Sequence, residues 1–213
     1  MPDFSRIRPV RFDPGGADSP EALAGGGVRT RSGRHRTACL REAADALAEL
    51  PAEGETLHAL MTGTYDLMHL LIVLLGALGS PCLLMRVATL SLSARNVAEM
   101  AALLDAGTVK RLDLLVSDFA RKHDKDIFAS LLAEFSSRGQ RVAAARSHCK
   151  VVTLALADGR RYALEGSANL RTNHNLEQFA LSRGPELFGW YDAWLDAMMQ
   201  KYEVNETGDT AAG

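Results

Sequence analysis

Between residues 56 and 145 the chain alternates short strand-like runs with stretches of helical spacing, and this alternation limits the fold more than any other feature. Residues 56–62, 82–90, 111–116 and 141–145 read as strands. The first intervening segment, 67–78, opens on Asp66 as N-cap and closes on Gly79 and Pro81. The second, 94–104, follows the cap residue Ser93 and carries Val97, Met100, Ala101 and Leu104 on one stripe. The third, 124–135, places Ile127, Phe128, Leu131, Leu132 and Phe135 at helical spacing and ends before Gly139. Each helix must bury its stripe, so the expected fold is α/β, a mixed β-sheet with helices on both faces. An earlier helix over 38–50 is stopped by Pro51. A strand over 177–181 precedes a final helix that opens at Pro185 and runs to about Tyr202. On that helix Trp190, Trp194 and Met198 form a core or subunit-interface stripe.

After residue 145 the strand at 141–145 is expected to run on into a hairpin. An apolar run over 151–157 meets a second run over 161–164 across Asp158-Gly159, the pattern of a two-residue turn. Pairing outward from that turn sets Lys150 opposite Ser167 and His148 opposite Asn169. Strand alternation then puts all four on one face, with opposed Cβ atoms roughly 5 Å apart. Cys149 points to the other face and reads as a small buried residue. A base or nucleophile, a cation, a hydroxyl and an amide thus converge, which is a phosphate-handling site in outline.

These residues resemble the signature of the phospholipase D superfamily, H-x-K followed by an Asp and then G-S-x-N. The matching positions are His148-x-Lys150 and Gly166-Ser167-x-Asn169, and Asn175-Leu176-Glu177 is similar to the acidic segment that follows them in the family. The sequence departs from the family in two ways: Ala155 stands where the family has its Asp, and there is one motif copy where most members carry two. The resemblance covers about residues 55–203 and implies one phospholipase D-like half-fold. It implies a phosphodiesterase working through a phosphohistidine, with the active site shared across a homodimer. His148 would be nucleophile in one subunit and general acid in the other. Lys150, Ser167 and Asn169 would hold phosphate oxygens, and Glu177 would orient an imidazole. An endonuclease-type enzyme acting on nucleic acid is the leading reading. The alternatives are a catalytically silent phospholipase D-like module that binds nucleic acid or assembles with a partner, and a phospholipid-hydrolysing phospholipase.

Composition narrows these classes. A net charge of −2 argues against coating nucleic acid by bulk charge, although residues 138–171 hold seven Lys or Arg against Asp158 and Glu165. Three widely spaced cysteines suit a reducing compartment and form no metal site. His35, His58 and His123 make no ligand spacing, His69 reads as a core or interface residue and His174 as surface. No Walker loop or G-x-G-x-x-G follows a strand, so neither cofactor nor metal is expected. The most apolar run, residues 67–78, is too short to span a bilayer, and no secretory pattern is visible; a cytoplasmic protein with no membrane partner is the expectation. Residues 1–37, with Arg29, Arg31, Arg34 and Arg36 at their end, are expected to be a disordered tail before a domain over 38–203, and 204–213 a second tail.

Overall fold

The computed structural model describes residues 31–171 and 175–204; of the tails expected over 1–37 and 204–213, residues 1–30 and 205–213 lie outside the described residues, as does His174, whereas residues 31–37 are helical rather than tail. Local chemistry sets the early elements. After β1 (Thr56–Met61), the Asp66 carboxylate accepts from the His69 N–H at 2.9 Å and starts α2 (Leu67–Leu78), which ends on Gly79 at φ 63°. β2 (Cys82–Thr89) leads through a second capping box, Ser93 with Asn96, into α3 (Ala94–Asp105). β3 (Leu112–Ser117) follows. These bounds fall within a residue of those expected.

The first helix, α1 (Arg31–Ala46), begins seven residues earlier than expected and stops before Leu50. Between β3 and α5 (Lys125–Ser136) lies a short helix, α4 (Asp118–His123), capped by the Ser117 hydroxyl. Its six residues carry no apolar stripe, which is why periodicity missed it. Among the described residues no helix is long and apolar enough to cross a membrane.

The strand at 141–145 does not run into the hairpin. β4 (Arg141–Ala145) ends at an edge of the seven-stranded sheet, ordered β1-β7-β6-β5-β2-β3-β4, whereas β5 (Val151–Leu156) pairs with β2. β2, β3 and β4 are parallel, and β6 (Arg161–Gly166) and β7 (Glu177–Arg183) complete an antiparallel half with β5 and β1. Residues 146–150 therefore cross the ends of β3 and β2, three strand spacings or roughly 14 Å, and must be extended to do so.

The hairpin register also differs by one residue. Leu156 and Arg160 close a three-residue loop, with Gly159 at φ 93°, so Lys150 lies opposite Gly166 rather than Ser167. A left-handed glycine at the end of a three-residue loop is the bulged hairpin form, and it adds one residue to the turn expected from Asp-Gly.

Alternate strand residues serve two faces. Val87, Leu114, Val142, Leu154, Leu164 and Phe179 join the main core under α1 to α5, and Ala88, Leu115, Ala143 and Val151 meet α6 (Pro185–Tyr202) on the other face. Helices on both faces of a mixed sheet are the expected class. Under α6 lies a charge cluster: Arg86 donates to Asp113 at 3.1 Å and Asp196 at 2.7 Å and pairs with Asp192, while Arg141 reaches Asp113 at 2.6 Å. Thr153 donates to Asp192 at 3.1 Å.

Candidate functional site

The carboxyl ends of β2, β3 and β4, the start of β5 and the end of β6 all meet at one edge of the molecule. This is where open α/β sheets place their ligands. The crossing segment 146–150 delivers the motif there. Because it is coil and not strand, its side chains do not alternate: His148 and Cys149 are both exposed, and Lys150 is buried, 7% exposed. Cys149 is thus not the buried residue that alternation implied.

Lys150 Nζ lies 2.7 Å from His148 Nδ1 and 2.9 Å from the His148 carbonyl oxygen. An ammonium has no lone pair, so Nδ1 must accept. Burial pushes the Lys150 amine below its ordinary value of 10.5, while the charge of Glu177 acts the other way. Next to Lys150, Gly166 donates its N–H to the Lys150 carbonyl at 3.2 Å. Ser167 exchanges two bonds with Gln178, backbone N–H to carbonyl and Gln178 N–H to hydroxyl, each 3.0 Å, which ties the end of β6 to β7.

An open cleft of about 810 Å³ is lined by His148, Cys149, Lys150, Gly166 and Ser167. Glu165, Gln178, Ala180 and His58 on the sheet and Trp190, Tyr191 and Trp194 on α6 line the same cleft, and the Tyr191 hydroxyl donates to Glu165 beside the motif. Of the five residues expected at the site, the structure brings His148, Lys150 and Ser167 into this cleft, with Asn169 and Glu177 outside its lining. Asn169 turns toward β2, its amide oxygen accepting from the Leu90 N–H at 3.2 Å. Glu177 starts β7 opposite Met61. His58, Glu165 and Gln178 were not expected here. Their signal lies in strand pairing, which sets Ala180 beside both His58 and Glu165, and a sequence without register does not contain it. The stripe expected on α6 splits: Trp194 and Met198 pack, partly buried, against the core that holds Leu195 and Met199, whereas Trp190 is 66% exposed in the cleft and is not a core residue.

Four of the seven cations of 138–171 pair with carboxylates, three of them with carboxylates from outside the stretch. Arg138 binds Asp105 and Glu134, Arg141 binds Asp113 and Asp196, and Arg160 binds Asp158. Arg171 lies 3.9 Å from Asp124. Among the described residues, no group of three His, Cys, Asp or Glu is arranged to hold a metal ion.

No family model matches the sequence. No curated protein matches it either. Solved structures do match in shape. Nuc from Salmonella typhimurium, a phospholipase D family member, superposes with TM-score 0.52 at 12% identity, over 71% of this chain and 98% of Nuc. Polyphosphate kinase from Porphyromonas gingivalis gives 0.53 at 12% identity, over 71% of this chain and 29% of that one. Phosphatidylserine synthase from Haemophilus influenzae gives 0.50 at 16% identity, over 71% and 40%. Nuc is spanned almost whole and the two larger proteins only in part, and what all three share with this chain is the arrangement of sheet and helices. The fold of this chain is the phospholipase D superfamily fold.

Proposed function

We propose that the protein is a metal-independent phosphodiesterase of nuclease type, with His148 as nucleophile and an active site shared between two copies of the chain. The observation that carries this reading is the Lys150–His148 contact of 2.7 Å in an open cleft, on a phospholipase D fold. Nuclease chemistry is favoured over lipid chemistry by the aromatic and amide lining of the cleft. The likeness to Nuc supports the fold on which this chemistry is placed.

The geometry gives the steps an order. With Lys150 donating to Nδ1, a neutral His148 carries its proton on Nε2 and cannot attack through that atom. An arriving phosphodiester draws the Lys150 ammonium onto a non-bridging oxygen and releases Nδ1. The freed imidazole exchanges its Nε2 proton with solvent for one on Nδ1, and Glu177, whose charge already acts on Lys150, holds that Nδ1 proton. Nε2 then attacks phosphorus, the P–O bond to the leaving group breaks, and His148 of the second copy, in its imidazolium form, protonates the departing oxygen and becomes neutral. Water attacks the phosphohistidine, gives its proton to that second imidazole and restores both histidines. Ser167 and Asn169 contribute donors to the phosphate oxygens. One histidine cannot be nucleophile and acid in the same step, which is why a second copy is needed.

The positive charge in this scheme comes from Lys150, so cleavage of a diester substrate should persist in EDTA and vanish in His148→Asn. Lys150→Ala should lower both affinity and rate, because it removes charge from bound and transition states alike. Loss of cleavage on chelation, restored by magnesium or zinc, would overturn the metal-independent mechanism. Equal cleavage by wild type and His148→Asn would overturn the nucleophile and leave the silent binding module.

A further inference from the structure

We propose that the aromatic wall of the cleft is a base-binding subsite for an unpaired nucleotide, with Trp190 as its stacking surface, so that the substrate is single-stranded nucleic acid. This rests on the phosphodiesterase reading of the same cleft and adds the substrate class. One cleft is lined both by His148, Lys150 and Ser167 and by Trp190, Tyr191, Trp194 and His58, and Tyr191 bonds Glu165, the neighbour of Gly166, so a group joined to a phosphate held by the motif lies within reach of the rings. At about 810 Å³ it has room for a nucleotide. Trp190 is 66% exposed there and stands edge-on to Tyr191 at 4.7 Å, leaving an indole face for a ligand.

The walls add polar groups suited to a base edge. Tyr191 donates its hydroxyl to Glu165, which orients a carboxylate that accepts from exocyclic amines. Gln178, exposed on the same wall, offers an amide with both donor and acceptor. A base paired inside a duplex presents neither its face nor its Watson–Crick edge to such a cleft.

Charge points the same way. Duplex binding draws its affinity from many phosphate contacts. Here four of the seven cations of 138–171 are bound to carboxylates, and among the described residues Arg146, Lys150 and Arg161 are those of the stretch with no ion pair, Arg161 lying at the far end of the hairpin from the motif. Stacking must therefore supply a large part of the affinity, as in single-strand binders that read bases by their faces.

The test uses the full chain carrying His148→Asn, which binds without turnover. Fluorescence titration compares a short oligothymidylate, the same strand built from tetrahydrofuran abasic units, and a duplex. The expected result is that oligothymidylate binds about tenfold more tightly than the abasic strand or the duplex. Its affinity should fall less than about tenfold between 50 and 200 mM salt. Adding Trp190→Ala should erase the preference for bases, and Trp190→Phe should keep most of it. Equal binding of thymidylate and abasic strands would overturn the subsite. So would tighter binding of duplex, a base preference that survives Trp190→Ala, or binding to phosphatidylglycerol vesicles but to no strand. If Trp190→Ala turns a dimer into a monomer in sedimentation, the ring is a subunit contact and the proposal fails. Failure of the reaction is separate: it appears as absence of cleavage of every strand by the wild-type protein, whatever the binding preference.

Discussion

A methyl group on Gly166 would sit 2.4 Å from the Gln178 carbonyl oxygen and 3.1 Å from the Phe179 Cα, so only glycine lets β6 and β7 close beside Lys150. Gly166→Ala should lower stability by about 1–3 kcal/mol, read as a drop in Tm, and reduce cleavage by moving Ser167. An unchanged Tm would show that the strands part freely there. Ala155, by contrast, lies five residues along β5 from Lys150, roughly 16 Å away, paired with Leu84 and Arg161. An Asp at this position meets the Arg161 guanidinium and not the histidine, so Ala155→Asp should change stability by no more than about 1 kcal/mol and leave turnover within twofold. A hundredfold gain in rate would show that the missing Asp had disabled the site. At this scale the chemistry-bearing residue types were legible in the sequence, but their relative placement was not. The hairpin signal at Asp158-Gly159 was sound, yet one extra loop residue shifted the register, and the coil at 146–150 freed Cys149 and His148 from strand alternation.

Helix α6 shows how an element can be legible while its anchor is not. Pro185 and the aromatic spacing announced the helix, but nothing in the run 82–90 announced that Arg86 would sit under it, 5% exposed, among Asp113, Asp192 and Asp196. A lone arginine in a strand-like run becomes a buried hub only once strand order is known. Removing one member of a buried charge cluster leaves its partners uncompensated. Arg86→Met should therefore cost about 3 kcal/mol, the lower end of the range for a broken buried pair, because Arg141 and Arg111 still hold Asp113. Burial alone would raise the Asp113 carboxyl, but hydrogen bonds from Arg141 and Arg111 prevail and hold it below its ordinary value of 3.8; Asp196 is lowered in the same way. A carboxyl depressed in the folded state contributes stability above its unfolded value and loses it as pH falls through the lower, folded value. Both tryptophans of the chain lie on α6, so their fluorescence reports its docking. The helix should stay seated until the pH drops below about 3.8 and then release, and Arg86→Met should release it at higher pH. Release of α6 from the wild-type chain near pH 6 would contradict this assignment.

For the molecule as a whole, the proposed reaction draws half of its nucleophile–acid pair from one sheet with one motif copy, and would take the second half from another chain or from elsewhere in the cleft. The exposed Leu60 and Leu176, 63% and 70%, border the start of β7 close to the motif end of the sheet, and apolar surface of this kind suits contact with a second copy. A two-fold axis past His148 would bring the two imidazoles to opposite sides of one phosphate. Mixing makes this quantitative. If wild-type chains are co-refolded with an equal amount of His148→Asn, shared sites need two intact chains, so activity should fall to about a quarter of that of the undiluted wild type, following the square of the wild-type fraction. Independent sites would instead give about half, in direct proportion to that fraction. Sedimentation should show a dimer at micromolar concentration in both the wild type and the mixture. An active monomer with linear dilution would remove the second copy from the mechanism and place the acid on His58, the other histidine of the same cleft. His58→Ala would then abolish turnover, whereas the shared site requires that it alter cleavage far less than His148→Asn does.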